Sequence, residues 1–116
     1  MPDQRLRVAA ACLVVALLPM VANMAHAAEA RGAEAAKIAA GAELAKRHCT
    51  SCHVIGPAQT HGTDQAPTWR EIAARPTTTP EFLRGFLSHP HGGMPPLTLA
   101  NEQIDDLAAY ILSLRQ

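Results

Sequence analysis

Aromatic residues are scarce in this chain of 116 residues. They make up 3% of the composition and number four: Trp69, Phe82, Phe86 and Tyr110. A domain this small buries little surface, and with so few large apolar side chains it would struggle to build a stable core unaided. The composition therefore predicts that something other than side chains fills the middle of the fold.

The chain also lacks an excess of charge of either sign. Lys and Arg number 10 and Asp and Glu number 10, so the formal net charge is zero. Without a basic excess, nothing in the sequence indicates a nucleic-acid partner. Net charge thus identifies no partner, and the motifs must do so.

The N-terminus has the pattern of a secretory signal peptide. Arg5 and Arg7 precede an apolar run over residues 8–21, and Ala25-His26-Ala27 then fits the small-x-small site of signal cleavage. A run of about 14 residues is short for a membrane-spanning helix. Cys12 lies inside this run rather than after it, which argues against a lipid-attachment cysteine.

We therefore expect a cleaved signal at residues 1–27 and a single domain at residues 28–116, exported to the periplasm. The alternative is an uncleaved N-terminal anchor, and contact with a membrane is expected only in that case.

The exported part shows helical patterns and no convincing strand. Helices are predicted over four stretches: residues 33–47, 68–74, 80–88 and from residue 100 or 101 to the C-terminus. Thr79-Pro80-Glu81 begins the third with an N-cap, a proline at the first position and an acid in the first turn. The predicted fold class is all-α, with three to four short helices.

Gly41 interrupts the first of these helices. A glycine inside a helix costs about 1 kcal/mol relative to alanine. Close approach of another helix would explain its presence, and a weak point in a marginal helix is the alternative.

Cys49, Cys52 and His53 form a Cys-x-x-Cys-His motif, the pattern of c-type haem attachment. The spacing lets both thiols reach one edge of the macrocycle from a single helical turn, where they add across the two vinyl groups. The adjacent histidine can then direct an imidazole nitrogen at the iron. One covalent haem per chain would also supply the missing core.

Three other sites compete with haem for this motif. A thioredoxin-like redox pair requires a βαβ context, which is not visible. A zinc site would need a further ligand such as His61, and neighbouring Cys and His ligands suit a tetrahedral site poorly. A disulfide between Cys49 and Cys52 is common in exported chains but would leave the core unfilled.

Met94 is the candidate for the sixth position of the iron. It is the one methionine after residue 27, and it lies in the loop Gly92-Gly93-Met94-Pro95-Pro96. A thioether is a soft ligand that raises the reduction potential when it is paired with histidine. An ordinary buried methionine is the alternative, and the rival ligands are His48, His61, His89 and His91.

Together these residues resemble a small bacterial class I c-type cytochrome, monohaem and His/Met-ligated. The resemblance covers residues 33–116 and depends on the attachment motif, on Val54-Ile55-Gly56-Pro57 after it, and on Met94-Pro95-Pro96-Leu97 before the last helix. It implies a cytochrome c fold wrapped around one haem c, with His53 and Met94 as the iron ligands.

The resemblance also implies roles for further residues. The carbonyl of Pro57 would accept a hydrogen bond from His53, and Trp69 would line the haem and donate to a propionate. For Trp69, a plain core position is the alternative. Gly41 would lie where the first helix crosses the last near Tyr110. Ala100 departs from the family, because a Ser or Thr cap is common there.

With both axial positions filled, the iron can change oxidation state but has no free site for a substrate. The expectation is therefore a monomeric single-electron carrier, not an enzyme, between redox partners such as a dehydrogenase, an oxidase or another cytochrome. The alternatives are a haem enzyme or gas or redox sensor with a labile sixth ligand, and an electron-transfer subunit of a larger complex.

Overall fold

The computed structural model describes residues 3–63, 65–89 and 92–115, with side chains from residue 23 onward. Regular structure within these ranges is helical, without a strand. The elements are α1 (Asp3–His48), α2 (Trp69–Ala74), α3 (Pro80–Leu87) and α4 (Asn101–Ser113). The predicted all-α fold class is confirmed.

α1 is longer than predicted. The sequence placed its start at residue 33, whereas the helix begins at Asp3. Residues 24–40 are rich in alanine, the strongest helix former, and Gly32 alone is too weak an interruption to end the helix. Among the described residues, no helix has both the length and the apolar character needed to cross a membrane.

Two units are distinguished along the chain, Met1–Ala33 and Glu34–Gln116. The described residues of the first unit are all helical, and the predicted signal peptide falls within this unit. The second contains the C-terminal part of α1, the other three helices and the attachment motif.

The two short helices begin at side-chain caps. The Thr68 hydroxyl accepts from the Glu71 amide at 3.2 Å, and the Glu71 carboxylate accepts from the Thr68 amide at 2.7 Å. In α3 the Thr79 hydroxyl accepts from the Phe82 amide at 3.1 Å, and Pro80 is the first helical residue, as the sequence predicts.

α4 starts without such a cap. The residue before it is Ala100, whose amide donates to the side-chain oxygen of Gln103 at 2.9 Å. The residues after α4 are tied to α2 and to the connection that follows it, because Arg115 donates to the carbonyls of Ala73 and Thr78 at 2.9 and 2.6 Å.

One apolar cluster joins all four helices and includes the first motif cysteine. Its buried members are Leu44, Ala45, Cys49, Ile55, Trp69, Ala73, Leu83, Leu107, Ala108 and Ile111. The attachment motif therefore begins inside the core rather than on a surface loop.

α1 and α4 cross in backbone contact at Gly41. A Cβ atom there would overlap the main-chain carbonyl of Asp106 and lie 2.9 Å from the Cβ of Tyr110. The close helix crossing predicted for Gly41 is confirmed. From the same crossing, the Tyr110 hydroxyl donates to the carbonyl of Ile55 at 3.0 Å, two residues after the attachment motif.

Gly41→Ala should destabilise the protein. Because the methyl group meets main-chain atoms that cannot rotate away, the helices must separate, at a cost of about 2 kcal/mol or more in the free energy of unfolding. Guanidinium denaturation of the haem-loaded protein measures this.

Gly85→Ala in α3 is the matched control, since nothing lies within 4 Å of its added methyl group. It should stabilise the helix by up to about 1 kcal/mol. Similar changes in both variants would contradict the crossing as the cause.

Candidate haem-attachment site

The attachment motif continues the last turn of α1. The Cys49 main-chain amide donates to the Ala45 carbonyl at 2.8 Å. The main-chain amides of Cys52 and His53 donate to the Cys49 carbonyl at 3.2 and 2.9 Å. Both thiols therefore project from one turn, as their spacing predicts. Cys49 is 8% exposed within the core, and Cys52 is half-buried.

The two thiols are free, so neither takes part in a disulfide. Burial, and to a lesser degree the neighbouring Cys52, raise the pKa of the Cys49 thiol to about 11. At neutral pH this sulfur stays protonated, because an unpaired thiolate in the core would lose its hydration. Conversion to a thioether would leave a neutral sulfur, which suits the same apolar position.

The imidazole of His53 is oriented by a main-chain carbonyl. Its Nδ1 lies 2.7 Å from the oxygen of Pro67. A carbonyl can only accept, so Nδ1 carries the proton and Nε2 is the nitrogen left to bind a metal. Histidine ligands are commonly fixed in this way: one ring nitrogen donates to a protein acceptor, and the other coordinates the metal.

The acceptor is Pro67 and not Pro57, so the prediction for Pro57 was wrong. Pro57 is exposed and belongs to a turn in which the main-chain amide of Gln59 donates to the Gly56 carbonyl at 3.2 Å. The chain must first loop back before a carbonyl can face the ring of His53. Two prolines follow the motif, and local sequence does not distinguish them.

Residues 66–69 return alongside the motif. The Trp69 amide donates to the carbonyl of Val54 at 3.0 Å, which holds Pro67 beside the histidine. The Trp69 side chain is buried, with its ring centre 6.3 Å from that of His53 and 5.8 Å from that of Tyr110. Its core position is thus observed, while donation to a propionate stays a prediction.

Sequence reasoning missed Gln59. Its side-chain amide lies within hydrogen-bond distance of the main chain at four points of the motif and the loop after it. A glutamine in an irregular, glycine-rich and proline-rich stretch gives no signal of this role, because every contact depends on how the loop folds.

Met94 lies in the loop between α3 and α4. It follows Gly93, whose φ of 83° is a left-handed conformation that glycine adopts without strain. Met94 is half-buried and lines a small cavity together with Leu87, Ser88, His89, Pro95, Pro96 and Leu97. No attachment residue lines that cavity, so iron ligation by Met94 stays a prediction.

The competing sites find no support. Among the described residues, no three His, Cys, Asp or Glu side chains are grouped so that they could hold a metal ion. His61 is exposed, and its Nδ1 lies 2.7 Å from the Thr60 hydroxyl. The described ranges also lack the strands that a βαβ redox fold requires.

Two free thiols lie on one turn, beside an imidazole whose Nε2 is available to bind a metal. This arrangement defines the class of the protein as a c-type cytochrome. The chain belongs to the cytochrome c family, since residues 36–111 match the family described as cytochrome c oxidase, cbb3-type, subunit III. Cytochrome c-552 of Bradyrhizobium diazoefficiens is 39% identical to it over 104 residues, which cover 90% of this chain and 91% of that protein. No solved structure matches the chain.

These findings confirm the resemblance to a small class I c-type cytochrome with covalent haem c. The function is electron transfer with redox proteins as partners.

Single cysteine variants should keep haem through one thioether. In Cys49→Ser or Cys52→Ser one vinyl group stays unreacted, so the reduced pyridine haemochrome should absorb at longer wavelength than in the parent protein. The double variant should release its haem into acid acetone. Covalent haem in the double variant would contradict attachment at these residues.

Proposed function

We propose that the chain carries single electrons between redox proteins outside the cytoplasm, with a haem iron held between His53 and Met94. The bound haem would supply an iron that alternates between the ferrous and ferric states. The observation that carries the proposal is the contact of His53 Nδ1 with the Pro67 carbonyl at 2.7 Å. It leaves Nε2 available to coordinate the iron and would hold the ring in one orientation.

Exposed aromatic rings on α3 support a haem packed against that helix. Phe82 and Phe86 are 46% and 43% exposed, and their rings stack at 5.6 Å. Apolar surface of this kind usually meets another group in a functioning protein, and a flat macrocycle suits stacked rings. α3 also leads into the loop that carries Met94.

The placement of Met94 supports its role as the sixth ligand. It lies in a loop outside the apolar cluster, so packing alone does not explain it. The preceding glycine turn and the two following prolines restrict the approach of its thioether. With this ligand bound, the chain leaves no position for a substrate, and the protein acts as a carrier and not as an enzyme.

A second candidate is a sensor or enzyme with a labile sixth ligand. His89 lines the same cavity as Met94, and its Nδ1 lies 2.9 Å from the carbonyl of Gly85. Because it shares this cavity with Met94, His89 is the rival ligand that the test below includes.

We propose that the protein is a free, monomeric carrier in the periplasm. The 39% identical relative is named as a cytochrome, which supports a carrier, whereas the matched family description names an oxidase subunit. The signal pattern at residues 1–27 supports export.

Met94→Ala tests the ligand. The ferric charge-transfer band that marks methionine–iron bonding, near the red end of the spectrum, should disappear, and the ferrous protein should bind carbon monoxide rapidly because the sixth position opens. His89→Gln is the control and should keep the band. A parent protein without the band, in which His89→Gln and not Met94→Ala speeds carbon monoxide binding, would assign the iron to His89 and support the sensor.

Export predicts a processed N-terminus. Mass spectrometry of the periplasmic protein should find Ala28 as the first residue. Ala27→Tyr should block cleavage, because signal peptidase requires a small residue there. A parent protein that retains residues 1–27 and sediments with membranes would identify an anchor instead.

A further inference from the structure

We propose that Gln59 is a positioning residue that holds the main chain of the iron ligand His53. The inference rests on the proposed function, because it presupposes that His53 binds the iron. Gln59 does not touch the imidazole itself, so it would act through the backbone that carries the ring.

The side-chain amide of Gln59 contacts four main-chain groups. Its Oε1 accepts from the Ile55 amide at 3.2 Å. Its Nε2 lies 3.0 Å from the carbonyl of Thr50 and 2.7 Å from those of His53 and His61. The orientation of the amide is unambiguous, since only the nitrogen can donate to carbonyls and only the oxygen can accept from an N–H.

Two of these contacts lie inside the attachment motif. The Cys49 carbonyl accepts from main-chain amides within the turn, and the Cys52 carbonyl accepts from the Thr63 amide at 2.8 Å. The carbonyls of Thr50 and His53 accept instead from the Gln59 side chain. One side chain thus completes the hydrogen bonding of a part-buried turn, where an unpaired carbonyl would be costly.

His53 is therefore held at two points. Pro67 fixes the ring through Nδ1, and Gln59 fixes the main chain through the carbonyl. The contact with His61 extends the same amide into the loop that returns toward Pro67. Without Gln59, the ring would keep one hydrogen bond, but the backbone behind it could move.

Gln59→Leu in the haem-loaded protein tests this. It keeps the approximate size of the side chain and removes all four polar contacts, in which the two N–H groups are shared among three carbonyls. In the ferrous state, solvent exchange of the His53 ring N–H, followed by NMR, should accelerate about tenfold or more, given the usual strength of the lost bonds. The reduction potential should shift as well, whereas the covalent haem should remain. Gln65→Leu, the same change at an exposed position in the same loop, should alter neither quantity.

Gln59→Glu separates positioning from general stability. It is nearly isosteric and keeps an oxygen for Ile55, but it has no N–H for the three carbonyls, so it should reproduce the faster exchange. It also serves if Gln59→Leu fails to mature.

Unchanged ring exchange in these variants would overturn the inference, and so would equal acceleration of the α4 amides, which reports general loosening. A parent protein without a haem-shifted His53 signal would instead refute the proposed ligation, whatever Gln59 does.

Discussion

The close crossing of α1 and α4 at Gly41 is the constraint on which the site depends. Because no side chain separates the two backbones there, Tyr110 comes near enough for its hydroxyl to reach the carbonyl of Ile55. The ring of Tyr110 meets Trp69, and Trp69 meets His53. A wider crossing would loosen each of these contacts in turn, so a glycine outside the motif helps to set the position of the histidine.

The chemistry of the site was readable from sequence, but its support was not. Cys49, Cys52 and His53 are adjacent, and their spacing alone defines what they can bind. The groups that orient His53 come from Pro67 and Gln59, in a loop without periodicity. Which carbonyl and which amide arrive there depends on the path of that loop, and local sequence does not encode it. The choice of Pro57 failed for that reason.

The helices also differ in how well local sequence predicts them. α2 and α3 were predicted to within a residue, because Thr68 and Thr79 are local caps whose effect needs no tertiary contact. α1 was predicted too short, because its alanine-rich residues 24–40 contain only Gly32 as an interruption, and the helix continues through it. The crossing at Gly41 could be predicted only because a glycine inside a helix is unfavourable, and close packing of another helix would explain its presence.

The scarcity of aromatic residues gains a physical meaning from their positions. Trp69 packs beside His53 and Tyr110 packs beside Trp69, whereas Phe82 and Phe86 stay half-exposed on α3. A chain with so few large apolar side chains would not leave two of them at the surface if its core were made of side chains alone. On the proposed function, the haem would cover these rings, and the group that carries the electron would also be the largest apolar body in the core.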